Sequence, residues 1–257
     1  MPRFAANLSL MFTEHAFVDR FAAAADAGFG HVEMQFPYGE PADLLAQKAR
    51  AAGVEVVLIN LPPGDFAGGE RGLAGLDESD DRFHASIDLA LRYGDALGVP
   101  KMHVMSGNGD PTAPGALNRL IDRLGFAADR LHAHGISAVI EPLNAQDNPG
   151  YLIGDYALGE QIVRAIGRPY LGLLFDMYHR QMMHGTIATA LERLMPIVGH
   201  VQIAGVPGRH EPDIGEINYP FLFDRLDALG YAGFVGCEYL PRAGTVEGLG
   251  WLAKVAG

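Results

Sequence analysis

Eight short β-type runs alternating with helical stretches, polar residues gathered at the C-terminal ends of those runs, and a length of 257 residues predict an α/β chain folded as a single (β/α)8 TIM barrel. Repeated strand–helix units imply a parallel sheet, and roughly 250 residues is typical of an eightfold barrel. No Ser-, Pro- or Gly-rich linker divides the chain, so one barrel domain is expected over residues 1–257.

Phe4–Ser9 reads as the first strand. Glu14–Gly28 follows with apolar residues at helical spacing (Phe17, Phe21, Ala24, Ala25) and ends at glycine, a common helix stop. His31–Phe36 and Pro41–Gly53 form the second strand and helix, and Val54–Asn60 the third strand. A long glycine-rich connection, Leu61–Gly72, precedes a helix at Asp80–Leu97. Long connections in compact folds are often binding loops, and Phe66 and Arg71 suit this one to act as a lid. Strands Lys101–Ser106, Ser137–Glu141, Leu171–Asp176, His200–Ala204 and Phe234–Tyr239 complete the set, with helical stretches such as Leu117–His134 and Phe221–Gly230 between them.

A doubly wound open sheet is the competing architecture. No Gly-x-Gly-x-x-Gly follows a strand, however. Asn7, Glu33, Asn60, His103, Ser106, Glu141, Asp176, Gln202 and Glu238 all lie toward C-terminal strand ends. In a barrel those ends form one face, where the active site sits.

Composition removes several function classes. The net charge of −12 disfavours nucleic acid and acidic lipid as partners. No apolar run reaches the ~18–20 residues of a membrane span, and the N-terminus lacks a signal-peptide pattern, so the expected location is cytoplasmic. The lone Cys237 rules out an internal disulfide and a cysteine-rich zinc site. It reads as a small buried residue whose strand neighbour, Glu238, points to the opposite face. Whether the chain forms a homo-oligomer stays open.

Four side chains carry the chemistry. Glu141, Asp176, Gln202 and Glu238 lie 35, 26 and 36 residues apart, close to one strand–helix unit each. If the barrel closes, they converge on one mouth. Three carboxylates and an amide carbonyl suit Mg²⁺ or Mn²⁺, and carboxylates so placed do not all stay ionised without a cation. Gln202 either binds metal or bonds to substrate. His179, three residues after Asp176, faces the same pocket as a substrate-binding candidate, and His103 joins it from the fourth strand. Arg209, held by Pro207-Gly208 above the mouth, is a candidate for a bidentate pair with a substrate carboxylate, against a plain salt bridge to Glu211 or Asp213. Arg71 in the long loop is the second such candidate.

The ordered set Glu-Pro-Leu-Asn at 141–144, Asp-x-x-His at 176–179, Gln-Ile-Ala at 202–204, Pro-Gly-Arg at 207–209 and Cys-Glu-Tyr at 237–239 resembles the hydroxypyruvate isomerase family. Gly215-Glu216-Ile217-Asn218-Tyr219 and Gly69-Glu70-Arg71-Gly72 resemble it as well. That family belongs to the xylose-isomerase-like TIM barrels and includes relatives acting on 2-oxo-tetronate. The resemblance implies that Glu141 and Glu238 are proton donor and acceptor, with a divalent metal at Glu141, Asp176, Gln202 and Glu238. Sugar epimerases of the wider superfamily usually have His where Gln202 stands, which argues against a ketose 3-epimerase. Its three-zinc endonucleases need an Asp-x-His pair after strand seven, where this chain has Asp213-Ile214-Gly215.

The expected reaction is aldose–ketose isomerisation of a small anionic 2-oxo-3-hydroxy acid: hydroxypyruvate to tartronate semialdehyde, or alternatively 2-oxo-tetronate to 3-oxo-tetronate. It would proceed through a metal-stabilised enediolate, with proton transfer between the two glutamates. Rival readings are a Schiff-base aldolase using Lys48, Lys101 or Lys254, and a non-catalytic sugar-acid binding protein. Lys101 stands at the wrong end of its strand for the first, and a pure anion binder gains nothing from facing carboxylates.

Overall fold

The computed structural model describes residues 2–77 and 80–256, with side chains through Ala253. Strands β1 (Arg3–Asn7), β2 (His31–Met34), β3 (Glu55–Asn60), β4 (Lys101–His103), β5 (Ser137–Ile140), β6 (Leu171–Asp176), β7 (Val198–Ile203) and β8 (Phe234–Cys237) pair in parallel, in chain order. β8 pairs back onto β1, closing the barrel. The intervening helices are α1 (Arg20–Asp26), α2 (Ala42–Ala52), α3 (Asp80–Leu97), α4 (Ala116–His132), α5 (Tyr156–Ile166), α6 (Met177–Met183), α7 (Ile187–Leu194) and α8 (Tyr219–Ala228), and α9 (Gly250–Ala256) follows β8.

The expected α/β barrel is the observed one, and the differences are local. The first helix begins late: a 3-10 turn at Phe17–Asp19 leads into α1, so Glu14–Ala16 is not helical. β4 stops at His103, and the segment to Ser106 leaves the barrel to meet the long loop. Gly53 ends α2 as expected, at φ 68°, a left-handed position that glycine takes without a Cβ clash.

Outside the strands, the core is a continuous apolar layer against the helices. Phe4 of β1 packs edge-on against Phe223 and Trp251, with centroids 5.2 and 5.1 Å away. A separate small cluster of Ala5, Val57, Leu58, Val139 and Leu174 plugs the interior. Strand alternation then decides what lies above the plug. Two residues beyond Ala5, Val139 and Leu174 come Asn7, Glu141 and Asp176, all buried and polar. The interior is thus apolar low down and polar toward the C-terminal strand ends, where chemistry is possible.

The loop after β3 is folded onto that polar end. Gly72 bridges to Ser106, the Gly107 amide donates to the Arg71 carbonyl, and the Gly75 amide donates to the Ser106 carbonyl. Phe66 reaches back to Phe36, with centroids 5.4 Å apart. No helix among the described residues is long and apolar enough to cross a membrane.

Candidate active site

Glu141 sits one residue past β5 and is nearly fully buried. Its Oε1 has no hydrogen-bond partner, and its Oε2 lies 3.6 Å from His103 Nδ1. Burial, then the charges of Glu238 and Asp176, push its carboxyl well above the usual range. Asp176 closes β6 and caps α6: its Oδ1 accepts the Tyr178 amide at 2.8 Å. That cap leaves Oδ2 buried and without a hydrogen-bond partner. Burial raises Asp176 to about 7, against the pull of Arg209.

Gln202 of β7 is the register partner of Asp176. Its Nε2 donates to Glu33 Oε1 at 2.7 Å, while its Oε1 is buried without a partner. Glu141, Asp176 and Gln202 therefore each present one orphaned oxygen. Buried polar atoms are nearly always satisfied, so three orphans in one polar layer fit a site for an oxygen-seeking cation.

Glu238 differs from these three. Its Oε1 accepts from Gln35 Nε2 at 2.9 Å and Asn7 Nδ2 at 3.2 Å, and its Oε2 pairs with Arg209 Nη2. Arg209 Nη2 also lies 3.6 Å from Asp176 Oδ2, and its guanidinium is 5.1 Å from the Tyr178 ring centroid. Burial alone would lower the Arg209 pKa, but Glu238, Asp176 and Glu141 outweigh it and raise it further. Sequence reasoning offered Glu211 or Asp213 as the salt-bridge partner. The chain instead turns at Arg209 (φ 56°), whose carbonyl accepts the Leu240 amide at 2.7 Å, and this straps the arginine to the end of β8.

Glu141, Asp176 and His179 offer ligand atoms within 4.8 Å of one another. His179 is nonetheless a poor ligand as it stands. Its Nδ1 lies 3.1 Å from the Asn144 backbone amide, which can only donate. Burial, Arg209 and His103 hold the ring well below the ordinary histidine range, hence neutral. A neutral ring that accepts at Nδ1 carries its proton on Nε2, and that N–H faces Glu141 and Asp176 at 3.9 and 3.7 Å. His179 is therefore a hydrogen-bond donor into the site. His103 is neutral too, lowered to about 3 by burial and by His200, and its Nε2 is buried without a partner.

Sequence reasoning missed two things. Gln35, on the segment after β2, holds Glu238. Glu33 was noted only as a strand-end polar residue, yet it is the hub of a buried network with Asn7, Gln202 and His200. The available signal was the spacing of Glu33 and Gln35, two residues apart and so on one face of the strand.

A cavity of about 220 Å³ opens above these groups, lined by Glu141, Glu238, His179, His103 and Arg209 with Leu10, Gln35, Phe36, Asn60, Phe66, Arg71, Met105, Leu143 and Asn148. Arg71 enters it from the loop. Its Nη1 donates to the Phe66 and Glu70 carbonyls, and its guanidinium lies 4.0 Å from the Phe66 ring centroid. A larger cleft of about 600 Å³ lies at the opposite, N-terminal end of the strands. Its cations are occupied: Arg164 pairs with Glu160, Arg168 with Asp129, and Lys101 donates to the Gly199 carbonyl. The buried carboxylates Glu141 and Glu238 line the smaller cavity, which makes it the candidate active site.

Comparison with known proteins gives the family. A family profile described as xylose isomerase-like TIM barrel matches residues 21–255. The chain is 48% identical to a 2-oxo-tetronate isomerase from Cupriavidus necator, over 100% of both chains. It is 37% identical to the hydroxypyruvate isomerase of Escherichia coli K12, over 98% of each. A crystal structure from Brucella melitensis, described as AP endonuclease, family 2, superposes with a TM-score of 0.95 at 44% identity over 99% of each chain. The chain thus belongs to the xylose isomerase-like TIM barrels, in the hydroxypyruvate isomerase family with its 2-oxo-tetronate isomerases, and is an isomerase.

Proposed function

We propose that the protein interconverts 2-oxo-tetronate and 3-oxo-tetronate, with hydroxypyruvate to tartronate semialdehyde as the second reading. The observation that carries the chemistry is the pair Glu141 and Glu238 on one small, buried cavity beside two arginines. Sequence alone put hydroxypyruvate first. The relative at 48% identity, named for 2-oxo-tetronate, moves that acid ahead of the one handled by the relative at 37%. Net charge −12 gives no support to a DNA substrate.

Glu141, Asp176, Gln202 and Glu238 are the proposed holders of a divalent cation, Mg²⁺ or Mn²⁺. The orphaned oxygens of the first three support this choice. When bound, such a cation supplies positive charge that stabilises negative charge developing on the substrate oxygens. One glutamate removes the C3 proton of the 2-oxo acid, and the other returns a proton at C2. The hydroxyl proton passes from O3 to O2, and His179 is the proposed relay: Nε2–H is given to O2 and the O3 proton is taken back on Nε2, so the ring ends as it began. Arg209 is committed to Glu238 and Asp176, so it holds Glu238 in place and opposes the upward push that burial gives its carboxyl. The carboxylate anchor is then Arg71, whose Nη1 donates to two backbone carbonyls and which pairs with no carboxylate among the described residues. Phe66 and Phe36 cover the anchor and keep water from the enediolate.

The test is turnover of both acids by purified protein, before and after EDTA treatment and with Mn²⁺ restored. Faster conversion of 2-oxo-tetronate, lost with EDTA and regained with Mn²⁺, is expected. Faster conversion of hydroxypyruvate reverses the substrate order, and full activity after EDTA removes the cation.

A further inference from the structure

Glu33 belongs to none of the groups assigned above, yet it is completely buried in the same polar layer. Its Oε1 accepts from Asn7 Nδ2 at 3.0 Å and from Gln202 Nε2 at 2.7 Å, and its Oε2 lies 2.8 Å from His200 Nε2. A carboxylate oxygen at that distance takes the His200 Nε2–H, so the ring donates to Glu33. The fold makes room for this carboxylate. A Cβ added at Gly236 of β8 would stand 2.3 and 2.4 Å from the two Glu33 oxygens. Glu33 therefore lies against bare backbone, in a slot no other residue at 236 would leave open.

The consequence falls on Gln202. The other three proposed cation holders are carboxylates, which accept from either oxygen. An amide has a right end and a wrong end: a carbonyl that can meet a cation, and an NH₂ that cannot. Glu33 Oε1 meets both Asn7 Nδ2 and Gln202 Nε2 as an acceptor, so it takes the NH₂ end of the amide and turns the carbonyl the other way. The Gln202 Oε1 is the end left buried and unpartnered.

We infer that Glu33 is a positioning residue that holds the Gln202 amide with its carbonyl toward the cation site. Asn7 and His200 fix Glu33, and Gly236 gives it space. The inference rests on the cation reading proposed above. It adds that the affinity of the site depends on a residue that never touches the ion, at the one position where the holder can be presented backwards.

The test is Mn²⁺ binding to the full-length, substrate-free protein, followed by the electron paramagnetic resonance signal of free Mn²⁺. Glu33→Gln offers Gln202 either a donor or an acceptor and so removes the orientation. Binding should weaken about 10–100-fold. The same change made on top of Gln202→Ala should cause no further loss, because Glu33 acts through the amide. Gly236→Ala, which crowds Glu33 without changing its side chain, should show the same dependence on background if Glu33→Gln does not fold. Unchanged affinity in Glu33→Gln overturns the inference, as does an equal loss with and without Gln202. A wild type that binds no Mn²⁺ overturns the cation reading itself and this inference with it, whereas wild-type binding with an indifferent Glu33 overturns this inference alone.

Discussion

Glu33 and Glu141 are both buried glutamates in the polar layer of one barrel, and their surroundings are opposite. Glu33 has three donors on its two oxygens. Glu141 has one oxygen without a partner and the other 3.6 Å from a neutral histidine. Leaving a buried acceptor unpaired costs about 1–3 kcal/mol, more for a charged group, so folding alone does not favour the arrangement around Glu141. The Glu33 side is built as scaffold, hydrogen-bonded in advance. The Glu141–Asp176 side is kept short of partners, which is what a site that receives a ligand requires.

The largest effect is expected at Glu141. Glu141→Gln keeps the shape and removes one of the two proton-transferring carboxyls, so kcat should fall by about 10²–10⁴-fold with an unchanged thermal midpoint. Steady-state kinetics beside a thermal melt would check both. Near-normal turnover would mean that the open side does no proton chemistry.

The open side should also titrate. Glu141 is pushed up by burial, Glu238 and Asp176, and Asp176 is pushed up by burial to about 7. In the unfolded chain such groups titrate near about 4. The folded, metal-free protein therefore holds these protons more tightly. For Asp176 that contribution to stability is full below about pH 4 and is lost as the pH rises through about 7, and Glu141 adds to it in the same direction. A bound cation replaces the protons, so the gain in thermal midpoint on adding Mn²⁺ should be larger near pH 8 than near pH 5. An equal gain at both would contradict the crowded-carboxylate account.

Arg71 and Arg209 sharpen the comparison one step further out. Arg71→Ala should raise KM about tenfold while changing kcat little, since it anchors substrate and touches no carboxylate of the site. Arg209→Lys should lower kcat more than it raises KM, because Glu238 loses a guanidinium that lysine does not reproduce. A KM effect confined to Arg209 would reverse the two roles.

The smallest effect is expected on the scaffold side. Asn7→Ala removes one donor from Glu33 and one from Glu238, leaving each with other partners. It should lower stability by about 1–3 kcal/mol in a denaturant melt and change turnover only a few-fold.

Much of this was legible in the sequence, for a physical reason. Parallel strands buried on both faces read as short apolar runs, and a carboxylate closing such a run stands out, as Glu141 and Asp176 do. The barrel brings strand ends together, so spacing alone grouped the cation candidates. What sequence could not show is who meets whom across the interior. Arg209 passes over its neighbours Glu211 and Asp213 to reach Glu238. Gln35, read as part of the second strand, holds a carboxylate more than two hundred positions away. The proton on His179 is set by a backbone amide at Asn144, and backbone amides leave no mark in a sequence.

The central claim is that two glutamates share one proton transfer between adjacent carbons. It is tested most directly by NMR in deuterated water, with Mn²⁺ and each 2-oxo acid, for wild type, Glu141→Gln and Glu238→Gln. The account predicts conversion with deuterium entering beside the carbonyl in wild type. It predicts no conversion in either variant, with solvent exchange at C3 surviving in the one variant that keeps the glutamate acting there. Conversion at near wild-type rate in both variants, or product formed by wild type without any solvent deuterium at C2, would contradict it.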